Sequence, residues 1–377
     1  MDLNESHKRI LMCLDDGEPL SYEDISKKTG LAYNGIRGRI SELAAMGLNI
    51  DKFRVGTRTM VSYVSDDDES VKKPVTYSDV LSTRNKSLDD YLKVSSLLSK
   101  LKKFDKKVEK KALKKVSGRH VLFLSDLHLG QKIVIEGKEH YNTKIAKNRI
   151  LDLTIDVLKK LNSDNSKELV VLLGGDIVDG DSIYKNHIFH VDIPAISQVK
   201  EATEALHNMF VMLNNAGVKV DVYCVRGNHG IVNYNNVEVD NWDNVVYDML
   251  ELAFKDNEDT SVYHGREDSM IIDFGDRKGV LMHGNEMSSQ ISTPSGVSAF
   301  RGLYTRYGLN RGDLVFVGHL HTFGVEMDHD RILVRNGSLA DTNDYALRKK
   351  LFTSPSQTML YMKEDNIYPE IIPLEVK

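Results

Sequence analysis

Apolar residues in the second half of this chain gather into short runs, and each run stops at a polar cluster. Leu122 to Leu124, Val170 to Leu173, Val220 to Val225, Val280 to Met282 and Leu314 to Val317 have strand length and little alternation. Runs of that kind are expected of strands covered on both faces. Between the first two lies a helical period, Thr143 to Leu161, with Ala146, Ile150, Leu153, Val157 and Leu161 on one face. A second one, Ile193 to Asn214, joins the next two runs. Strand, helix, strand in this order makes the strands parallel neighbours. After Ala253 the pattern turns strand-rich (Val262 to His264, Met270 to Asp273, Val280 to Met282), which predicts a second sheet packed on the first.

The first half is patterned differently. Ile10, Leu11 and Leu14 mark one helix, Ser21 caps a second with Asp24 at the capping-box position, and Thr29-Gly30-Leu31 makes a turn. A third helix, Tyr33 to Met46, carries Ile36, Ile40, Leu43 and Ala44 on one face and stops at Gly47. Alternation from Ile50 to Val64 predicts a two-stranded hairpin. Residues 66–118 then break the composition, first with the acidic run Asp66 to Glu69, then with a lysine-rich helical pattern from Ser87 to Val116. That helix reads either as a basic arm or, preferably, as a solvated helix whose apolar stripe packs on the following domain or on another copy. Three segments result: 1–65, 66–118 and 119–377.

The chemistry sits where the apolar runs end. Leu124 is followed by Ser125-Asp126-Leu127-His128, and Leu173 by Gly174-Gly175-Asp176-Ile177-Val178-Asp179. Val225 is followed by Arg226-Gly227-Asn228-His229, Met282 by His283, and Val317 by Gly318-His319-Leu320-His321. In a strand, positions i and i+2 share a face, so Asp126 and His128 can reach one ion.

This ordered set resembles the calcineurin-like metallophosphoesterase superfamily, whose motifs are D-x-H, G-D-x-x-D, G-N-H-D/E, a lone His and G-H-x-H; the resemblance covers about residues 119–365. One position departs from it: Gly230 stands where an acidic residue usually follows G-N-H. The resemblance implies an α/β fold, a four-layer αββα sandwich, with a dinuclear metal site that cleaves phosphate esters. It places Asp126, His128, His321 and bridging Asp176 on the first ion, and Asn228, His283, His319 and the same Asp176 on the second. His229 is implied to protonate the leaving group, with Asp179 on its other nitrogen. Mixed carboxylate, imidazole and amide ligands suit Mn²⁺, iron or Zn²⁺ better than Mg²⁺, and two Mn²⁺ ions are the expectation taken forward. Without the acidic residue after His229, altered substrate contacts are expected, with activity kept.

Composition narrows the surroundings. The chain has 377 residues, is 41% hydrophobic and 28% charged, and carries a net charge of −5. No global basicity points to nucleic acid, so any such surface is local. Cys13 and Cys224 lack metal spacing and read as buried small residues in a reducing compartment. Neither an amino-terminal leader pattern nor a run of about 18 apolar residues occurs, so a cytoplasmic location without membrane contact is expected.

The order of helices and hairpin in the first segment resembles a winged helix-turn-helix domain, preceding the sandwich and the helical linker. In that resemblance Arg37, Arg39, Lys52, Arg54 and Arg58 face nucleic-acid phosphates. Protein interaction is the alternative, since Asp24, Glu42 and Asp51 dilute the charge. Gly175-Asp176-Ile177-Val178-Asp179-Gly180 through Tyr184 also resembles the exonucleolytic small subunit of archaeal D-family DNA polymerases. Asn336-Gly337-Ser338-Leu339 resembles a stretch of nuclease-type metallophosphoesterases. His187 and His190 read first as surface histidines, with a place along the substrate groove as the alternative. Arg301, Arg306 and Arg311 read equally as phosphate-gripping or solvated.

A nuclease or phosphodiesterase acting on DNA or RNA is the leading expectation. A phosphomonoesterase or protein phosphatase is the alternative, since phosphatases of the superfamily typically have Asp at the position of Asp179 and SbcD-type repair nucleases more often His. A DNA-binding scaffold with an idle site is a third reading. SbcD-type relatives dimerise and work with an ATPase partner, so a homodimer and an ATPase partner both stay open, while no segment indicates an ATPase-docking surface.

Overall fold

The computed structural model describes residues 3–14, 20–46, 48, 50–55, 58–63, 113, 118–184, 186–232, 240–265, 267–287, 294–342, 354–364 and 366–374. They belong to two compact units, Met1–Lys86 and Ser87–Lys377.

In the smaller unit α1 (Glu5–Leu14), α2 (Tyr22–Thr29) and α3 (Tyr33–Ala45) close over Ile10, Leu14, Ile25, Ile36, Ile40, Leu43 and Val61. The α2 start follows from Ser21, whose Oγ accepts from the Asp24 N–H at 3.2 Å, and its end from Gly30 at φ 70°. The hairpin strands β2 (Ile50–Val55) and β3 (Arg58–Tyr63) gain a third, β1 (Leu20–Ser21), antiparallel to β3, that the sequence pattern did not predict. Two residues are too few for a period to show. The Lys-rich helical pattern and Gly47 lie outside the described residues.

The larger unit is built on a six-stranded sheet ordered β16-β15-β4-β7-β8-β9: Asn366–Pro373, Ser356–Lys363, Arg119–Leu124, Glu168–Leu173, Lys219–Cys224 and Thr260–His264. Strands β4, β7, β8 and β9 run parallel, and β5 (Ile133–Ile135) pairs with β6 (Lys138–Tyr141) in a separate antiparallel ribbon. The crossover helices are α4 (Thr143–Ser163) and α5 (Ala195–Asn215), and α6 (Trp242–Ala253) leads into β9. A five-stranded sheet is ordered β10-β11-β12-β14-β13: Ser269–Asp273, Lys278–Met282, Leu314–Val317, Arg331–Arg335 and Gly324–Asp328. Between β11 and β12 runs α7 (Pro294–Tyr307).

Alternation sorts the side chains into layers. Leu122 and Leu124 of β4 join the cluster under α4, α5 and α6, whereas Val121 and Phe123 turn the other way, toward Leu281, Leu314 and Phe316 of the second sheet. The Phe123 and Phe316 rings meet edge to face at 5.6 Å. On the outer face of the second sheet Val315 and Val317 pack with Phe300 and Tyr304 of α7. The result is helix, sheet, sheet, helix, an α/β sandwich in four layers. Both sheets are covered, which is why their central strands read as unbroken apolar runs.

Candidate metal centre

The chemistry-bearing loops leave the carboxyl ends of β4, β7, β8, β11 and β12. β4 ends at Leu124, so Asp126 and His128 do not lie in a strand as the face argument supposed. Both adopt left-handed backbone, at φ 55° and 43°, and so do Asp176 (52°), His319 (61°) and His321 (53°). Asp and His tolerate this region better than most residues, yet five cases at one site are a strained arrangement held by its surroundings.

Main-chain bonds provide part of that hold. Asp126 N donates to Gly175 O, His128 N to Asp176 O and Leu129 N to Ile177 O, each at 3.0 Å, zipping the loops after β4 and β7 together. Gly175, at φ 86°, lies against Gly227, whose nitrogen would stand 2.5 Å from a Cβ there. Asp243 at the start of α6 then joins the loops of β7 and β8. Its Oδ2 accepts from the N–H of Asp176 (2.9 Å) and Gly227 (2.9 Å), its Oδ1 from Ile177 (3.1 Å) and Val178 (3.2 Å). Under the β4 loop, Gln357 Oε1 accepts from Ser125 N at 3.0 Å, and Asn336 Nδ2 donates to Ser125 Oγ at 3.0 Å. Ser338 Oγ donates to Asp126 O at 3.0 Å, so Asn336 and Ser338 prop this loop from below.

The seven side chains named as ligands come together in two adjoining groups. In one, His128 Nε2 is 3.1 Å from His321 Nε2, and His321 Nε2 is 3.2 Å from Asp126 Oδ1. In the other, His283 Nε2 is 2.9 Å from Asn228 Oδ1 and 3.1 Å from Asp176 Oδ2, with His319 close enough to share an ion. Asp176 Oδ2 lies between the groups, also 3.9 Å from His128 Nε2. It is buried and accepts no hydrogen bond of good geometry.

These donors fit divalent cations. His128 Nδ1 donates to Asp179 Oδ1 at 2.9 Å and His283 Nδ1 to Gly174 O at 2.8 Å, which points the Nε2 nitrogens of both rings at the groups. Nitrogen and carboxylate lone pairs crowded in this way repel unless a proton or a cation lies among them. Burial opposes protonation of His283, but Asp176 outweighs it and pushes the pKa up to about 9. Burial likewise opposes the charge of Asp176, yet His283 and His229 hold its carboxyl below the usual range. At His319 burial dominates, lowering the pKa to about 4.

His229 is set beside the two groups. Its N–H donates to Asp176 Oδ1 at 2.7 Å, and its Nδ1 lies 3.1 Å from both Asp179 O and Asp179 Oδ1. Burial lowers its proton affinity, but Asp176 and Asp179 prevail and push the pKa up to about 10. The side chain is 20% exposed, so the ring is open to a substrate. Gly230 has no room for a side chain: a Cβ there would lie 2.1 Å from Asn241 Oδ1, and Asn241 Nδ2 in turn holds Gly227 O at 2.8 Å.

Other candidates separate. His187 is buried rather than on the surface, its Nε2 2.7 Å from Asp179 Oδ2, while His190 is exposed. A buried carboxylate with room for another donor draws it in. Arg301 is taken up by Asp328 (2.6 and 2.7 Å) and Arg311 lies 3.7 Å from Asp330, so neither is committed to this site. In the smaller unit Arg37 and Lys52 are exposed and Arg39 is half-buried; Arg54 and Arg58 lie on the hairpin strands. Asp243, Gln357 and His187 were not anticipated as supports. Each looks local in sequence, Asp243 above all, since an acidic residue in a first helical turn needs no further reason.

Histidines, aspartates and an asparagine gathered at the carboxyl ends of the central strands of a four-layer sandwich make a candidate two-metal centre. The chain belongs to the calcineurin-like phosphoesterase family, which it matches over residues 119–323. That family uses divalent metals, and the assignment points to a metal-dependent hydrolase. No curated protein matches the chain. Among solved structures it is similar to a conserved uncharacterized protein from Streptococcus pneumoniae TIGR4 (11% identity, 69% of this chain and 91% of that one, TM-score 0.34). It is also similar to Vps29 complexed with zinc from Entamoeba histolytica (13%, 68% and 99%, 0.33). The phosphoesterase YfcE from E. coli is a third such structure (16%, 68% and 100%, 0.30). Among the described residues no helix is long and apolar enough to cross a membrane.

Proposed function

We propose that the protein is a nuclease or phosphodiesterase that hydrolyses DNA or RNA with two divalent ions, Mn²⁺ being the favoured metal. The observation that carries the two-ion reading is the position of Asp176 Oδ2, buried between two nitrogen-rich groups. Asp126, His128, His321 and Asp176 would hold one ion; Asp176, Asn228, His283 and His319 the other. Bound there, the ions supply charge neutralisation at the phosphate and lower the pKa of an attacking water. His229, fixed through Nδ1 by Asp179, keeps Nε2 protonated for the departing oxygen.

Nucleic acid as the substrate is supported by the smaller unit, three helices and a hairpin in the order of a winged helix-turn-helix, with exposed Arg37 and Lys52. The polymerase-subunit-like stretch from Gly175 to Tyr184 supports the same reading. A phosphomonoesterase is the second reading, favoured by one contact, Asp179 on His229, the pairing typical of phosphatases. The two are separated by comparing release of acid-soluble nucleotides from labelled DNA and RNA in Mn²⁺ with release of p-nitrophenol from its mono- and bis-esters. Nucleotide release together with bis-ester turnover is expected; turnover of the mono-ester alone would replace the nuclease reading with the second.

A further inference from the structure

We infer that His187 is a positioning residue for the proton donor, acting through the Asp179 carboxylate. The inference rests on reading His229 as the donor, and it does not depend on whether the substrate is a diester or a monoester. Asp179 is fully buried and its two oxygens are held from different directions. Oδ1 receives His128 Nδ1 (2.9 Å), His229 Nδ1 (3.1 Å) and Gln131 Nε2 (3.2 Å). Oδ2 receives His187 Nε2 at 2.7 Å. A carboxylate gripped at one oxygen can turn about its Cβ–Cγ bond; gripped at both, its plane is fixed. That plane sets the direction in which Oδ1 meets the His229 ring.

His187 is itself immobilised. It is 1% exposed, its Nδ1 accepts from Ile183 N at 3.3 Å, and the Tyr184 ring lies on it at 4.1 Å and 24°. Nδ1 as acceptor puts the ring proton on Nε2, the nitrogen that faces Asp179. Tyr184 is 46% exposed and lies between this ring and solvent. The His187 ring lies 5.8 Å from His229 and nearly perpendicular to it, and His187 belongs to neither of the two groups built around Asp176. A residue that stacks, accepts and donates at once in a buried loop does more than fill space.

Two substitutions separate the hydrogen bond from the ring. His187→Phe keeps the flat ring under Tyr184 and removes the donor; His187→Gln keeps a donor and removes the ring. In the metal-loaded full chain, p-nitrophenyl and phenyl esters are compared, as phosphomonoesters and as methyl phosphodiesters, because a poor leaving group needs the proton more than a good one does. The Phe variant is expected to slow the phenyl ester at least about tenfold more than the p-nitrophenyl ester in whichever series is turned over, with kcat and not KM affected. The Gln variant should recover most of that difference. In the metal-free protein, long-range ¹H–¹⁵N spectra of the histidine rings should show a protected Nδ1 proton on His229 that exchanges faster in the Phe variant. Equal slowing of both leaving groups, unchanged Nδ1 exchange, or loss of a bound ion in the Phe variant would overturn the inference; a chain that turns over only monoesters would sink the nuclease reading and leave this one standing.

Discussion

The Nε2 nitrogens of His128 and His321 stand 3.1 Å apart, each facing the other. His128 spends its ring proton on Asp179, and burial, the largest influence on it, lowers its pKa, so it offers a lone pair. Such a pair of rings, with Asp126 beside it, is a place where protons and divalent cations compete.

That competition gives a pH dependence with a definite sign. His283 and His229 have pKa values of about 9 and about 10 in the metal-free chain, above the value of about 6.5 for a free imidazole. Their protonation therefore stabilises the metal-free fold fully below about pH 6.5, and this contribution is lost as pH rises through about 9 to 10. Thermal unfolding of chelator-treated protein should show Tm falling by several degrees over this window. Titration calorimetry in buffers of different ionisation enthalpy should show the opposite trend for metal, with proton release on binding and affinity that rises with pH. A metal-free Tm that rises between pH 7 and 10 would contradict this.

Asp243 accepts four main-chain hydrogen bonds from the loops that carry Asp176 and Asn228. Burial, then the charge of Asp176, pushes its pKa up to about 6, and the N–H donors keep it ionised near neutral pH. Asp243→Asn replaces one accepting oxygen with a donor, so two buried N–H groups face an N–H. A loss of about 2–4 kcal/mol in urea unfolding is expected, together with weaker metal retention. An effect below about 0.5 kcal/mol would mean that the loops hold their shape without it.

Asn228 and His229 are neighbours, one proposed as a metal ligand and the other as the proton donor. Asn228→Ala should lower bound metal and turnover together. His229→Ala should keep the metal and cut turnover by about 10²–10⁴, more for poor leaving groups. Metal content and rate measured on the same samples make the comparison; equal metal loss in both variants would assign His229 to the ligand set.

In the smaller unit, exposed Arg37 and Lys52 lie on α3 and β2, Lys52 Nζ donating to Ser41 Oγ at 2.8 Å. If this face binds nucleic acid, Arg37→Ala and Lys52→Ala in the full chain should each flatten the plot of log affinity against log salt by about one unit. Unchanged slopes would favour a protein partner for that face.

Much of this architecture was legible because burial on both faces leaves a plain signature. The apolar runs at Leu122, Val170 and Val220 mark neighbouring strands of one sheet, and the helical periods between them mark crossovers. The candidate ligands stood out because each follows such a run. Their geometry did not: Asp126 and His128 reach the site through left-handed backbone rather than through strand alternation, and a periodicity of two carries no information about φ in a loop. The supports were less legible still. Gln357 meets Ser125 across 232 residues and His187 meets Asp179 inside a loop, and no local pattern records a contact made by folding.

Metal content of the full chain, reconstituted, desalted and measured by inductively coupled plasma mass spectrometry beside Asp176→Asn, tests the shared carboxylate. About two divalent ions per chain in the unaltered protein and loss of both from the variant are expected, since one oxygen pair serves both groups. An unaltered chain that holds one ion or none, or a variant that retains both, would contradict a dinuclear centre built on Asp176.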